Sequence, residues 1–105
     1  MKNSIAGISD YNNTSVFTDR NNNGHVMTRS CKLYDTVIVT VNYGDGLLSL
    51  CHGGYDTKTT KKRMNEFLNA NDLSYYVKQV DGDWYLYDDG EVIGEFITNS
   101  IIVDL

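Results

Sequence analysis

The stretch YYVKQVDGDWYLYDDGEVIGEFI at residues 75–97 alternates apolar and polar residues around two Asp-Gly pairs, Asp81-Gly82 and Asp89-Gly90. Asp-Gly between alternating segments is a strong signal for a two-residue hairpin turn, because both central residues of that turn take positive φ. The stretch therefore predicts a three-stranded antiparallel meander.

Two tight turns also predict the register of this meander. Val77 is expected opposite Leu86, and Leu86 opposite Ile93. Trp84 is expected opposite Glu95, and Tyr87 opposite both Tyr76 and Val92. Because successive side chains of a strand point to opposite faces, the meander has one apolar face and one tyrosine-rich face. The apolar set is predicted to be Val77, Trp84, Leu86 and Ile93, and the tyrosine-rich set Tyr76, Lys78, Tyr85, Tyr87 and Val92.

Two further hairpins are predicted upstream. Residues 36–42 are almost all β-branched, which favours a strand, and residues 47–51 return after a Gly-Asp-Gly turn. Weaker strand character at 14–18 and 25–28 predicts an additional hairpin across the Asn-Gly turn at 21–24. A last short strand is expected at 101–103.

A helix is predicted between the second hairpin and the meander. Thr59 or Thr60 is expected to cap its start, because a threonine hydroxyl accepts a hydrogen bond from a free backbone N–H of the first turn. Met64, Phe67 and Leu68 share one face by their i, i+3, i+4 spacing. The helix is expected to end near residues 70–72, where Asn and Asp favour a stop.

The predicted fold class is therefore α+β: one antiparallel sheet in the order β-β-α-β-β-β, with one helix packed on one face. The 105 residues are expected to form a single domain, in which a polar, Asn-rich lead segment at 1–30 contributes the additional hairpin. The composition fits a globular domain, with 41% hydrophobic residues and 11% aromatic residues.

Charge and cysteine content narrow the class of protein. The formal net charge is −5, which disfavours coating of nucleic acid by the whole surface but leaves room for a local basic patch. Two cysteines in a chain without a signal-peptide or membrane-helix pattern predict reduced thiols and a cytoplasmic protein.

The basic residues concentrate at the predicted start of the helix. A candidate anion- or phosphate-binding segment consists of Lys58, Thr59, Thr60, Lys61, Lys62 and Arg63. Cations at a helix N-terminus oppose the helix dipole, and free N–H groups, hydroxyls and cations together suit an anion. The alternative is that Asp56 and Glu66 compensate locally and the lysines are simply solvated.

The tyrosine-rich face of the meander is the second candidate surface. Nine acidic residues and one basic residue, Lys78, follow Arg63, so the meander is acidic. Tyrosines with a nearby cation suit a protein interface or base stacking, and flanking carboxylates favour a basic protein partner. The alternative is that the helix packs on this face. The candidate interface residues are Tyr76, Lys78, Tyr85, Tyr87, Asp83, Asp88, Asp89 and Glu91.

No motif predicts catalysis or a cofactor. The two histidines and two cysteines match no common zinc spacing, and the acids of the meander lack EF-hand spacing. The Gly-Gly segment lacks the Gly-Lys-Ser/Thr of a nucleotide-binding loop. We therefore expect no enzyme, no metal and no cofactor.

The run Gly53-Gly54-Tyr55-Asp56-Thr57-Lys58-Thr59-Thr60-Lys61-Lys62-Arg63-Met64-Asn65 follows a strand hairpin and precedes a helix. In this arrangement it resembles a family of small tailed-bacteriophage proteins that share a Gly-Gly-aromatic-x-Thr-x-Thr-Thr-Lys-x-Arg-Met-Asn segment. The resemblance covers roughly residues 34–87, with Cys51-His52 as a departure where small polar residues are expected. It implies phage origin and brings no function with it.

Phage origin and charge together suggest a function by binding. We expect a phage accessory protein that inhibits or redirects a host protein, such as a nucleic-acid-binding defence protein or a transcription factor, in the cytoplasm of an infected bacterium. Its role would be host takeover or anti-defence, such as anti-CRISPR or anti-restriction, through an acidic surface that mimics nucleic acid. One alternative is a nucleic-acid-binding module that uses the basic helix start at 58–63. A further alternative is a structural virion component. No membrane partner is expected.

Overall fold

The computed structural model describes residues 13–105, and these form an α+β fold with every predicted element present. The additional N-terminal hairpin is confirmed, so four strands precede the helix. In chain order the elements are β1 (Thr14–Arg20), β2 (Val26–Leu33), β3 (Thr36–Asn42), β4 (Leu47–Cys51), α1 (Lys58–Ala70), β5 (Tyr75–Val80), β6 (Asp83–Asp88), β7 (Glu91–Glu95) and β8 (Ser100–Asp104).

The strands form two sheets, so the prediction of one sheet is wrong. One sheet has the order β1-β2-β3-β4-β8, and the other has the order β5-β6-β7. The last strand leaves the meander and pairs antiparallel with β4, which places Ile101 opposite Leu50 and Val103 opposite Leu48. Ile101 and Val103 pack against the core from there, whereas Ile102 between them is 64% exposed. The burial of two alternate residues therefore accounts for the return of β8 to the first sheet.

The core lies between the two sheets and the helix. Met64, Phe67 and Leu68 are fully buried, as the helical spacing predicts. Helix α1 contacts β5 of the small sheet and β2 and β3 of the large sheet. The buried hydrophobic residues are Cys31, Leu33, Ile38, Val39, Val41, Leu48, Leu50, Met64, Phe67, Leu68, Val77, Trp84, Leu86 and Phe96.

The helix begins earlier than predicted. Thr57, not Thr59 or Thr60, is the N-cap: its backbone is extended at φ −103° and ψ 163°, and its hydroxyl accepts from the Thr60 N–H at 3.3 Å. Thr60 lies in the first turn, fully buried, and its hydroxyl contacts the Thr57 hydroxyl at 3.1 Å. The predicted end is confirmed, with Asn71 as the C-cap.

The register of the meander is confirmed between β5 and β6, and between β6 and β7 it is confirmed for Tyr87 opposite Val92 but wrong from Leu86 onward. Val77 lies opposite Leu86 as predicted. A bulge between Leu86 and Tyr87 then places Leu86 opposite Gly94 instead of Ile93. Glu95 consequently lies opposite Tyr85 instead of Trp84. Ile93, predicted for the apolar face, is 42% exposed.

Gly94 explains why the core selects the shifted register. A Cβ atom at this position would lie 2.6 Å from the Cδ1 atom of Ile101 on β8. The glycine therefore leaves room for the side chain of Ile101, which a larger residue at position 94 would displace. The positive φ of Asp81, Gly82, Asp89 and Gly90 confirms both Asp-Gly turns.

Candidate functional site

The helix covers the apolar face of the small sheet and leaves the tyrosine-rich face open. Val77, Trp84 and Leu86 are at most 4% exposed and belong to the core. Tyr76 on the opposite face is 52% exposed. The alternative in which the helix packs on the tyrosines is therefore excluded, and the open face is available for contact with another molecule.

We call this open surface, formed by Tyr76, Lys78, Tyr85, Tyr87 and Val92, the tyrosine face. Two cross-strand rows build it, because β5, β6 and β7 contribute residues at matching positions. One row is Tyr76–Tyr87–Val92, and the other is Lys78–Tyr85 with Glu95 on β7. The Lys78 ammonium lies 5.9 Å from the centroid of the Tyr87 ring, a cation–π distance that ties the two rows together.

Carboxylates surround one side of the tyrosine face. Their negative charge raises the pKa of the Tyr85 phenol above its ordinary value of 10.0, with Glu95 as the largest cause, followed by desolvation and then by Asp83, Tyr87 and Asp81. The Tyr85 hydroxyl is therefore a hydrogen-bond donor throughout the neutral range. This side of the face combines apolar rings, a phenolic donor and negative charge, which suits a cationic partner.

The predicted acidic interface residues do not all reach the tyrosine face. Asp83 begins β6 on the same side as Tyr85, and Asp89 and Glu91 are exposed at the second turn. Asp88 points to the other side of the sheet, where the Ser74 hydroxyl donates to its Oδ1 atom. Its negative charge also contributes to the raised pKa of the Tyr75 phenol, after desolvation. Asp88 therefore belongs to the structural framework.

A second surface lies along the free side of β5, where the strand meets the helix. Three lysines of α1 and one of β5 line this groove, together with the exposed ring of Tyr76. We call it the lysine groove, and its residues are Lys58, Lys61, Lys62, Asn65, Tyr76, Val77, Lys78 and Gln79.

Hydrogen bonds between the helix and β5 fix the shape of the lysine groove. The Asn65 side chain donates to the Val77 carbonyl at 3.0 Å and accepts from the Val77 N–H at 2.7 Å. Lys61 donates from Nζ to Gln79 Oε1 at 2.6 Å, and the same ammonium lies 5.6 Å from the Trp84 ring centroid. Both contacts hold the helix at a set distance from the strand.

The six residues of the predicted anion-binding segment are divided among three environments. Lys58, Lys61 and Lys62 lie in the lysine groove. Thr59 and Thr60 line a different concavity with Tyr34 and Tyr55. Arg63 is 4% exposed and is used internally, donating to Thr14 Oγ1 at 3.1 Å and pairing with Glu66 at 3.3 Å.

The groove also contains residues that the sequence analysis did not assign to it, namely Lys78 and Gln79. Lys78 was assigned only to the tyrosine face, and Gln79 to no surface. The contact between α1 and β5 brings these two residues beside lysines that lie 16 to 21 positions earlier in the chain. No local pattern in the sequence signals that contact.

A third feature is an aromatic cluster beside the first Asp-Gly turn. The ring of His52 lies 4.7 Å from that of Trp84 and stacks on Phe96 at 6.1 Å. Its Nδ1 atom accepts a hydrogen bond from the Gly54 N–H at 3.1 Å. His52 is therefore held by packing and by a turn, and its role is to connect the end of β4 to the small sheet.

The described residues contain neither a metal-binding cluster nor a membrane span. Within 13–105, no three histidine, cysteine or acidic side chains converge where they could ligate an ion. In the same range, no helix is both long and apolar enough to traverse a bilayer. Cys31 and Cys51 are free thiols.

These features define a small α+β protein with two open surfaces around β5. A family model described as Kyanoviridae Gp96 protein matches residues 1–103, and the chain therefore belongs to this family of phage proteins. The match confirms the phage origin that the sequence resemblance implied, and it extends well beyond residues 34–87. It does not single out the Gly-Gly-to-Asn segment. No curated protein and no solved structure matches the chain.

Proposed function

We propose that this phage protein acts by binding a basic surface of a host protein through the tyrosine face, in the cytoplasm of the infected cell. Binding would inhibit or redirect the host protein, in host takeover or in anti-defence, without catalysis by the phage protein. The observation that carries the proposal is the open side of the small sheet. The helix and the core take up the other side, whereas Tyr76 is exposed and Tyr85 and Tyr87 are half-buried next to carboxylates.

The chemistry of the tyrosine face supports a protein partner. Tyrosine offers a large, rigid contact area with a polar end, and it is enriched among the residues that dominate interface energies. Tyr76, Tyr85 and Tyr87 lie on two hydrogen-bonded strands, so their backbone is already ordered before binding. Three tyrosines on one face of an ordered sheet are a suitable anchor for a protein interface.

The position of the carboxylates supports a basic partner. Asp83 and Glu95 lie beside Tyr85, and Asp89 and Glu91 lie at the turn between β6 and β7. Negative charge next to the anchor residues steers a cationic surface into contact and accelerates association. A host surface that normally binds nucleic acid has this cationic character, so its occupation by the phage protein would be inhibitory.

The proposal is tested by affinity capture from a nuclease-treated lysate of the infected host. We compare the tagged protein with Tyr85→Ala/Tyr87→Ala, and we use Tyr43→Ala as the matched control. Tyr43 is 44% exposed and lies between β3 and β4, away from the tyrosine face. Far-UV circular dichroism confirms that all three proteins fold.

We expect the intact protein and the Tyr43 variant to retain the same basic host protein, and the double variant to lose it. An Ala substitution at an interface anchor costs about 2 kcal/mol or more, which is a loss of roughly thirtyfold in affinity. Capture that is equal in all three proteins would refute the assignment of this face. Capture of nucleic acid alone from untreated lysate would refute a protein partner.

A further inference from the structure

The lysine groove carries a concentration of positive charge that the fold does not neutralise. Four of the nine basic residues of the chain, Lys58, Lys61, Lys62 and Lys78, line this one groove. Within residues 13–105, none of these four lysines lies within ion-pair distance of a carboxylate. Arg63, the next residue of the helix after Lys62, does pair with Glu66. Lys58 and Lys62 are also one helical turn apart, where like charges repel.

The groove is a preformed cleft, and its cations do not depend on flexible loops. Three lysines lie on the regular helix α1, and the fourth lies on β5. The two hydrogen bonds between the Asn65 side chain and the Val77 backbone hold the floor of the groove in place. The bond from Lys61 to Gln79, a neutral acceptor, leaves the charge of that ammonium uncompensated. Ordered cations in a concave site are the feature that binds a polyanion.

An exposed aromatic ring at the rim of the lysine groove indicates which class of polyanion would bind there. Tyr76 is 52% exposed and lines the groove together with the lysines. A cationic groove with an aromatic side chain is how proteins hold single-stranded nucleic acid, because every base can stack on a ring while the backbone follows the charge. A duplex is read by an element that projects into its groove, and the lysine groove is concave.

We propose that the lysine groove binds the phosphate backbone of single-stranded nucleic acid, with a base stacked on Tyr76. This inference is separate from the proposed function, since the groove lies on the helix side of β5 and the carboxylate-flanked part of the tyrosine face lies across β6 and β7. Tyr76 and Lys78 border both surfaces. The tests therefore change Lys58 and Lys62 here, and Tyr85 and Tyr87 for the protein interface.

The experiment is fluorescence anisotropy of a labelled oligothymidylate titrated with the full chain over a series of salt concentrations. Each phosphate neutralised on a single strand contributes about −0.7 to the slope of log affinity against log salt. The ammonium of Lys78 lies over the Tyr87 ring, so the three lysines of α1 predict a slope of about −2.1. Lys58→Ala/Lys62→Ala should reduce the slope to about −0.7 on the same basis. Tyr76→Leu should weaken binding with the slope unchanged.

The control is Lys32→Ala paired with Arg20→Ala, which removes the same two charges from β2 and β1, outside the groove. We expect this control to bind as the intact chain does. Equal weakening in the control would show non-specific attraction and would overturn the proposal. The proposal would also fail if no binding occurs at low salt, if a duplex of the same length binds more tightly, or if polyglutamate of equal charge competes as well as the oligonucleotide.

Discussion

At the scale of single residues, Asn65 holds the helix to the edge of the small sheet. Its amide satisfies both backbone groups of Val77 that point away from β6. Asn65→Ala should lower the free energy of unfolding by about 1–3 kcal/mol, because a buried donor and acceptor lose their partners. Urea denaturation measures the change. Asn69→Ala, at an exposed position of the same helix, is the matched control, and equal effects would contradict this role.

Tyr85 offers a direct measure of the negative charge on the tyrosine face. Since Glu95 is the largest cause of its raised pKa, Glu95→Gln should lower that pKa toward the ordinary 10.0. NMR titration of ring-labelled tyrosine follows this residue specifically. Glu91→Gln on the same strand is the control and should leave the titration unchanged. A Tyr85 curve that does not respond to Glu95→Gln would show that the carboxylates do not act on this face.

Cys31 should be inert in the folded protein. Burial raises its pKa from the ordinary 9.0 to about 12, and only the thiolate reacts with iodoacetamide. Since the folded pKa is the higher one, its contribution to stability is complete below pH 9 and falls as pH rises toward 12. Peptide mapping by mass spectrometry should show Cys31 unmodified at pH 8 and alkylated once urea is added. Rapid alkylation without urea would contradict its burial.

At the scale of elements, the start of α1 can be tested against the sequence prediction. Thr57→Ala should destabilise the protein by about 1 kcal/mol, the usual cost of losing an N-cap oxygen. Thr59→Ala, at an exposed position of the first turn, should change stability by less than about 0.5 kcal/mol. Thermal unfolding compares the two variants. A larger loss of stability in Thr59→Ala than in Thr57→Ala would show that Thr59 caps the helix, as the sequence predicts.

Local signals predicted the elements well, because they act over a few residues. Asp-Gly turns, β-branched runs and helical spacing each depend on neighbours in the chain, and the corresponding strands and helix are all present. The prediction of Thr59 or Thr60 as the cap failed because Thr57 offers the same hydroxyl a few residues earlier. The β6–β7 register held at Tyr87 and Val92 and failed from Leu86 onward, where Gly94 makes room for Ile101, a residue of a different sheet.

The candidate surfaces were predictable to a lesser extent. Alternation along β5 and β6 placed the tyrosines on one face, but only the packed helix shows that this face is open. The anion-binding segment was predicted as six consecutive residues. The helix turns Arg63 toward the protein interior. The contact between α1 and β5 brings Lys78 to the groove that the helix lysines line. Side-chain direction and long-range contact are the two facts that a linear sequence does not carry.

At the scale of the whole molecule, β8 joins the meander to the large sheet. Ile101 packs against the core beside Gly94, and its neighbour Ile102 is 64% exposed. Ile101→Ala should therefore lower the free energy of unfolding by about 1–2 kcal/mol, below the roughly 2–5 kcal/mol of a fully buried site. Ile102→Ala should be close to neutral. Urea denaturation of both variants checks this, and equal effects would contradict the packing of β8.

The amide of Asn65 also has a consequence for solubility. An edge strand with unpaired N–H and C=O groups is a template on which the strand of another chain can assemble. On β5 the Asn65 side chain takes the place of such a strand at Val77, and the positive charge of the neighbouring lysines repels identical chains. The same contact that positions the groove thus blocks the addition of another strand to β5 at Val77.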